Sequence, residues 1–191
     1  MNRSFVEKIL RNADRLGNLT RDLSEVARIE MGELEMTMEP FRLKSLAAEV
    51  LESLEPVAGR KNVHLRCRVP DDLPRVVGDR ERLRQVLTNL IDNAVKYNNE
   101  GGHVEVSARR LPSGQVNVSI MDDGIGIPPQ HIPRLTERFY RVDTSRSRSE
   151  GGTGLGLAIV KHILGAHGTQ LLVESQPGNG STFGFTLPAA T

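Results

Sequence analysis

The amino-acid sequence predicts an α+β fold, a two-layer sandwich in which helices cover one face of a single mixed sheet, set behind an N-terminal helical arm. Two observations carry this. From residue 43 onward, segments with strand-like alternation are interspersed with segments apolar at helical spacing, whereas the first thirty residues repeat alternately every four and three positions. A chain of 191 residues with 38% hydrophobic content and 26% charge can bury one good core and carry a smaller appendage.

In the arm, Phe5, Ile9, Asn12, Leu16, Leu19, Leu23 and Val26 form a heptad seam with one polar member, Asn12, placed to fix register. Such a narrow seam cannot bury itself. It calls for a partner helix from the same chain or another, the alternative being an ordinary surface helix packed on the globular part. Gly32 ends the helix. After the extended piece ELEMTMEPFRL, residues 43–58 read as a helix and VHLRCRVP as a strand, with Cys67 a packed thiol in its apolar alternation. Asp79 is the N-cap of a helix running to about Asn98. The strands HVEVSARRL and QVNVSIM follow, joined by a Pro-Ser-Gly turn, and DDGIGIPP leads into a short helix from Pro129 to Phe139. The stretch 139–153, polar and rich in Ser, Arg and Gly, reads as a mobile lid. LGLAIVKHILGAHG is a buried helix, and QLLVESQPGNGSTFGFTLP a closing hairpin.

A net charge of +1, from 25 basic and 24 acidic residues, gives no global reason to expect nucleic acid or an anionic membrane as partner. No apolar run approaches the roughly 18 residues of a spanning helix, the N-terminus lacks a signal-peptide core, and one cysteine excludes an internal disulfide. A cytoplasmic location is the expectation. Function must then reside in local sites. On the helix that contains NLIDNAVKY, Leu83, Val86, Leu87, Leu90, Ile91 and Ala94 make the apolar stripe. Asn89, Asn93, Lys96 and Tyr97 share an adjacent arc of about 100°. Taken alone, two amides, an ammonium and a phenol could equally cap a loop, face solvent and pack. Downstream, Asp122, Gly124 and Gly126 follow a strand in the pattern Asp-x-Gly-x-Gly, where glycines permit close backbone approach to a flat ligand and a carboxylate accepts from an exocyclic amine. Gly151, Gly152, Gly154 and Gly156 precede a helix whose first amides form an anion site.

These motifs resemble, in order, those of the catalytic ATP-binding domain of bacterial sensor histidine kinases, within the Bergerat-type fold shared with DNA gyrase, Hsp90 and MutL ATPases. NLIDNAVKY is similar to the N box, DDGIGIP to the first glycine box, RLTERFYRVD to the F box and GGTGLGLAIV to the second glycine box. The arm, ending in ARIEMGELE, resembles the second helix of the family's dimerisation hairpin. The resemblance implies three parts: that hairpin helix over residues 1–32, a linker with a short strand over 33–42, and the catalytic domain over 43–191.

It further implies ATP and Mg²⁺ as ligands. Asn93 would ligate Mg²⁺ through its amide oxygen, Asn89 would position or activate the transferring end, Lys96 would contact phosphate and Tyr97 would pack along adenine. Asp122 would accept from the adenine N6 amine and so discriminate against guanine. Gly124, Gly126 and Ile127 of the first glycine box count among the nucleotide-binding positions, as do Tyr140 and Arg141 of the F box. Arg141 would steady the γ-phosphoryl group, and Gly152, Thr153, Gly154, Leu155 and Gly156 belong to the turn that closes over the phosphates. Asn89 and Arg141 are the catalytic pair on this reading.

The implied reaction is transfer of the γ-phosphoryl group to a histidine outside this chain, for relay to a response-regulator aspartate. In the parent protein the hairpin would form a homodimer, with a membrane engaged only through that parent and no nucleic acid. The family's His-Glu-x-x-x-Pro acceptor motif does not occur here, and His64, His103, His131, His162 and His167 read as structural or exposed. No histidine pair has zinc-site spacing. Thr136 stands where the F box has phenylalanine, Asn98 and Asn99 replace a frequent Thr-Pro, and Thr169 replaces a glycine. The rival reading is a nucleotide-binding regulatory module without phosphoryl transfer. Gyrase-like ATP hydrolysis is disfavoured by the F box and the arm, and neither a P-loop nor a Rossmann glycine pattern is present.

Overall fold

Valines and isoleucines at every second position build the sheet, and the helices that cover it bury their apolar stripes against that one face. In the computed structural model, which describes residues 3–31, 35–142 and 153–190, helix α1 (Arg3–Glu30) precedes β1 (Glu39–Phe41), α2 (Leu43–Gly59), β2 (His64–Arg68) and β3 (Val76–Gly78). Then come α3 (Arg80–Lys96), β4 (His103–Arg110), β5 (Gln115–Asp122), a 3-10 helix (Pro129–Arg134), α4 (Gly156–Ala166), β6 (Leu172–Ser175) and β7 (Ser181–Pro188).

The main sheet has the order β2-β4-β5-β7-β6, parallel between β2 and β4 and antiparallel elsewhere, which makes it mixed as expected. Val104, Val106, Val116, Val118, Ile120, Phe185 and Leu187 point from its inner face into the core, where they meet Leu46, Leu90, Ile91, Ile159 and Ile163 of the helices. The whole predicted stripe of α3 is buried. Asp79 caps that helix by accepting from the Arg82 amide at 3.0 Å, and its other carboxylate oxygen accepts from Thr37 at 2.9 Å. The Asp79 amide in turn donates to Nε2 of the buried His167 at 3.0 Å, while Nδ1 of that ring meets the Ile163 carbonyl at 2.8 Å. His167 is therefore a structural tie between α3 and α4.

The arm divides its seam. Val26 is buried and Leu19 packs against the same core, whereas Ile9, Leu16 and Leu23 are 52%, 63% and 52% exposed. Glu25 forms a largely buried ion pair with Arg82. Among the described side chains of the seam, Leu19 and Val26 thus pack as a surface helix would, while Ile9, Leu16 and Leu23 stand exposed, as a helix with a partner would leave them.

Four expectations need correction or closer definition. The helix from Pro129 shrinks to six residues of 3-10 geometry, because Pro133 cannot donate to a longer ladder. Cys67 is exposed, lying on β2 at the edge of the sheet, although Val63 and Val69 on either side of it are buried. The pairing of β3 with β1 in a separate two-stranded sheet was not anticipated. Finally, Gly32, Gly152 and the central part of the expected lid, 143–152, lie outside the described residues. The departures at Asn98 and Thr169 are accommodated by new bonds: Asn98, buried, donates to the His103 carbonyl at 3.0 Å, and the Thr169 hydroxyl meets that of Thr186 at 3.1 Å. Among the described residues, no helix is long and apolar enough to cross a membrane.

Candidate functional site

Four stretches converge on one cavity of about 430 Å³: α3, the turn after β5, residues 135–142, and the start of α4. Asn89, Asn93, Lys96, Tyr97, Asp122, Gly126, Ile127, Tyr140, Arg141, Thr153, Gly154 and Gly156 all line it. Gly124 and Leu155 stand behind the wall. A Cβ on Gly124 would lie 2.5 Å from the Tyr97 carbonyl oxygen, so glycine there lets the turn press on the end of α3. Leu155 is fully buried beneath the start of α4. A larger hollow of about 610 Å³ is lined by Arg66, Arg68, Glu105 and Glu174 among others, but Arg68 and Glu105 are already paired at 2.8 Å. The smaller, better-walled cavity is the candidate site.

The turn after β5 is held from both sides. Ile125 donates to the Tyr97 carbonyl at 3.1 Å, Gly178 donates to the Ile125 carbonyl at 2.8 Å, and Ile127 donates to the Ser175 hydroxyl at 2.8 Å. Asp122, only 8% exposed, accepts from the Gly124 amide at 2.9 Å. Burial raises its pKa to about 6 against the opposing pull of the Gly124 and Ser181 amides, and the neighbouring Asp123 adds to the rise. On α3, Lys96 reaches back one turn to Asp92 at 2.5 Å, which places its ammonium at the cavity but shares it with a carboxylate.

Residues 131–141 are braced by contacts of their own. His131 Nδ1 meets the Tyr140 hydroxyl at 2.6 Å, and the Arg134 guanidinium lies 4.2 Å from the Tyr140 ring centre. Glu137 accepts a forked bond from Arg134 at 3.0 and 3.1 Å. Nε and Nη2 of Arg141 are buried with no hydrogen-bond partner among the described residues. Two buried guanidinium nitrogens without partners among the described residues, on a residue that lines a cavity, are suited to an anion. Gly156 brings α4 onto α3, a Cβ there lying 3.3 Å from the Asn89 amide oxygen.

Two residues of this wall escaped the sequence reading. Arg21 and Asp22 of α1 line the cavity, and the Thr153 hydroxyl donates to Asp22 Oδ2 at 2.7 Å. The partner of Asp22 is 131 positions away, and no local pattern marks either residue.

The chain belongs to the histidine kinase-, DNA gyrase B-, and HSP90-like ATPase family, whose model matches residues 78–191. It is 39% identical over 187 residues to the sensor-like histidine kinase SenX3 of Mycobacterium tuberculosis, covering 98% of this chain and 45% of SenX3. The chain thus spans less than half the length of that relative. Among solved structures, full-length ShkA in complex with AMPPNP is 34% identical with a TM-score of 0.86, over 99% of this chain and 39% of ShkA. The catalytic domain of the histidine kinase ThkA is 29% identical with a TM-score of 0.68, over 82% of this chain and 97% of that domain.

Proposed function

We propose that the chain binds ATP in this cavity and acts as the catalytic part of a sensor histidine kinase, with the γ-phosphoryl group passing to a histidine outside residues 1–191. One observation carries the reading: a single cavity combines a desolvated carboxylate, Asp122, with two buried guanidinium nitrogens of Arg141, Nε and Nη2, that have no hydrogen-bond partner among the described residues. A ligand that satisfies both needs an amine-bearing apolar part and an anionic part, and ATP has both. ShkA, solved with AMPPNP, supports the same ligand class.

Within that reading Asp122 accepts from the N6 amine, Tyr97 and Ile127 flank the base, and Arg141 with the Thr153–Gly156 turn takes the phosphates. Arg141 balances charge that spreads over the equatorial oxygens as the bond to the leaving oxygen lengthens. Among the described residues no cluster of three His, Cys, Asp or Glu side chains could hold a metal. The donor set still fits Mg²⁺, which takes few ligands from protein: Asn93, with Asn89 one turn earlier, would offer a neutral amide oxygen beside phosphate and water. When bound, the ion neutralises phosphate charge. Residues 1–32 are then the second hairpin helix, 33–42 the connection and 43–191 the catalytic domain. The hairpin dimer, the membrane-anchored sensor as parent, and a response regulator as recipient belong to the same proposal. For the last, ThkA has been solved in complex with the response regulator TrrA.

The test is to mix this chain with the phosphoacceptor hairpin of its parent and labelled ATP. Acid-labile label should appear on the hairpin, and Asn93→Ala should abolish it. ATP binding without any transfer would support the regulatory-module reading instead.

A further inference from the structure

One wall of the cavity comes from the arm. Asp22 accepts from the Thr153 hydroxyl, and the same hydroxyl accepts from the Leu155 amide at 3.2 Å. Leu155 is the residue at the start of α4 and makes no side-chain cap of its own. The first amides of a helix lack partners within it and favour an anion. Through one hydroxyl, a carboxylate of α1 therefore reaches the end of α4 at which the proposed function places the phosphates.

We propose that Asp22 is an internal competitor of the nucleotide's polyphosphate. With α1 docked, the Asp22 carboxylate holds the Thr153–Leu155 turn and offsets the positive charge that the neighbouring Arg21 brings to the same wall, so triphosphate binding and this one contact of α1 oppose each other. The inference rests on the ATP reading above. Docking of the arm does not depend on Asp22, because Val26 is buried in the core and Glu25 pairs with Arg82 elsewhere on α3. Asp22 thus adds to a docked helix a charge whose place is at the mouth of an anion site. Linkage makes the effect reciprocal: whatever factor docking takes from triphosphate affinity, triphosphate takes from docking.

Calorimetric titration of the full chain and of Asp22→Asn, each with MgATP and with adenosine, tests this. Asparagine keeps an acceptor for Thr153 and removes only the charge. At low ionic strength Asp22→Asn should bind MgATP about three- to tenfold more tightly, with adenosine affinity unchanged. Should Asp22→Asn melt early, Asp22→Ser gives the same comparison. Unchanged or weaker MgATP binding overturns the inference. Equal tightening for adenosine also overturns it, since a ligand without phosphate would then report only a blocked entrance. If the unmodified chain binds neither ligand, the ATP reading fails and this inference with it; MgATP binding that ignores Asp22 sinks the inference alone.

Discussion

The Phe139 amide donates to the Gly154 carbonyl at 2.9 Å, a closure that joins the stretch 135–142 to the turn before α4. Both residues sit at positive φ, 61° and 76°. A Cβ on Gly154 would lie 3.0 Å from the Phe139 backbone. Gly154→Ala therefore strains both the dihedral and this closure. We expect it to lower stability by about 1–3 kcal/mol and to weaken ATP binding, measured by thermal melting and titration calorimetry. An unchanged melting temperature would show that the closure contributes little.

Asp122 gives a base-specific prediction. Its carboxylate accepts from the Gly124 amide. In Asp122→Asn the amide oxygen can keep that bond, which turns the NH₂ toward the cavity, donor against the donor of the N6 amine. ATP affinity should fall by about 1–3 kcal/mol while discrimination against GTP narrows. The comparison is of ATP and GTP dissociation constants in the two proteins; equal ATP affinities would remove Asp122 from base recognition.

The same carboxyl predicts a pH dependence. Its pKa is raised from 3.8 to about 6 by burial, so the native state holds the proton more tightly than the unfolded chain. Stability associated with this group is then fully present below about pH 4 and is lost as pH rises toward and through 6, by about 3 kcal/mol at most. Asp122→Asn, a poorer binder, should accordingly be the more stable protein at pH 7, the gap closing at low pH. Binding should run the opposite way, ATP affinity rising with pH through about 6 as the acceptor form appears. Urea titrations at pH 4 and 7, paired with ATP titrations, check both signs.

Much of this site was legible because its signals are local. The stripe of α3 set Asn89, Asn93, Lys96 and Tyr97 side by side, and the cap at Asp79 fixed where that helix begins. The glycines of the turn after β5 are likewise a local demand for close backbone approach. What stayed hidden depends on distant partners. Three residues, Val76–Gly78, cannot announce a strand that pairs with another three-residue segment and bridges to Ala189 near the far end of the chain. Cys67 has inward-facing parity, yet its exposure is set by what covers an edge strand. Asp22 is one more polar residue on a charged helix until the fold brings Thr153 to it.

The carboxylate of Asp79, which caps α3 and holds Thr37, should matter for stability rather than for binding, because Asp79 does not line the cavity. Asp79→Ala would strand the Arg82 and Thr37 amides, at a cost of about 2 kcal/mol. The carboxylate's pKa is lowered despite its burial, by those amides together with Arg82. Its contribution is therefore present above the ordinary aspartate pKa and lost as pH falls through the lowered value. Melting of Asp79→Ala at pH 7 and at pH 3 should show the deficit shrinking at the lower pH, and a constant deficit would assign the loss to packing.

The last prediction concerns the free row of the arm. Ile9, Leu16 and Leu23 are seven residues apart and each more than half exposed, whereas Leu19 and Val26 are committed to the core. A row of apolar residues at heptad spacing gains by meeting a second helix, but half a seam gives weak association. The isolated chain should therefore self-associate weakly and reversibly, in a concentration-dependent manner visible by sedimentation equilibrium. Leu16→Lys, in the middle of the row, should shift it to monomer while changing the stability of the globular part by no more than about 0.5 kcal/mol, because an exposed side chain has little folded packing to lose. Monomeric behaviour of the unmodified chain at all concentrations, or a large loss of stability in Leu16→Lys, would show that this row is not an unfilled helix-pairing surface.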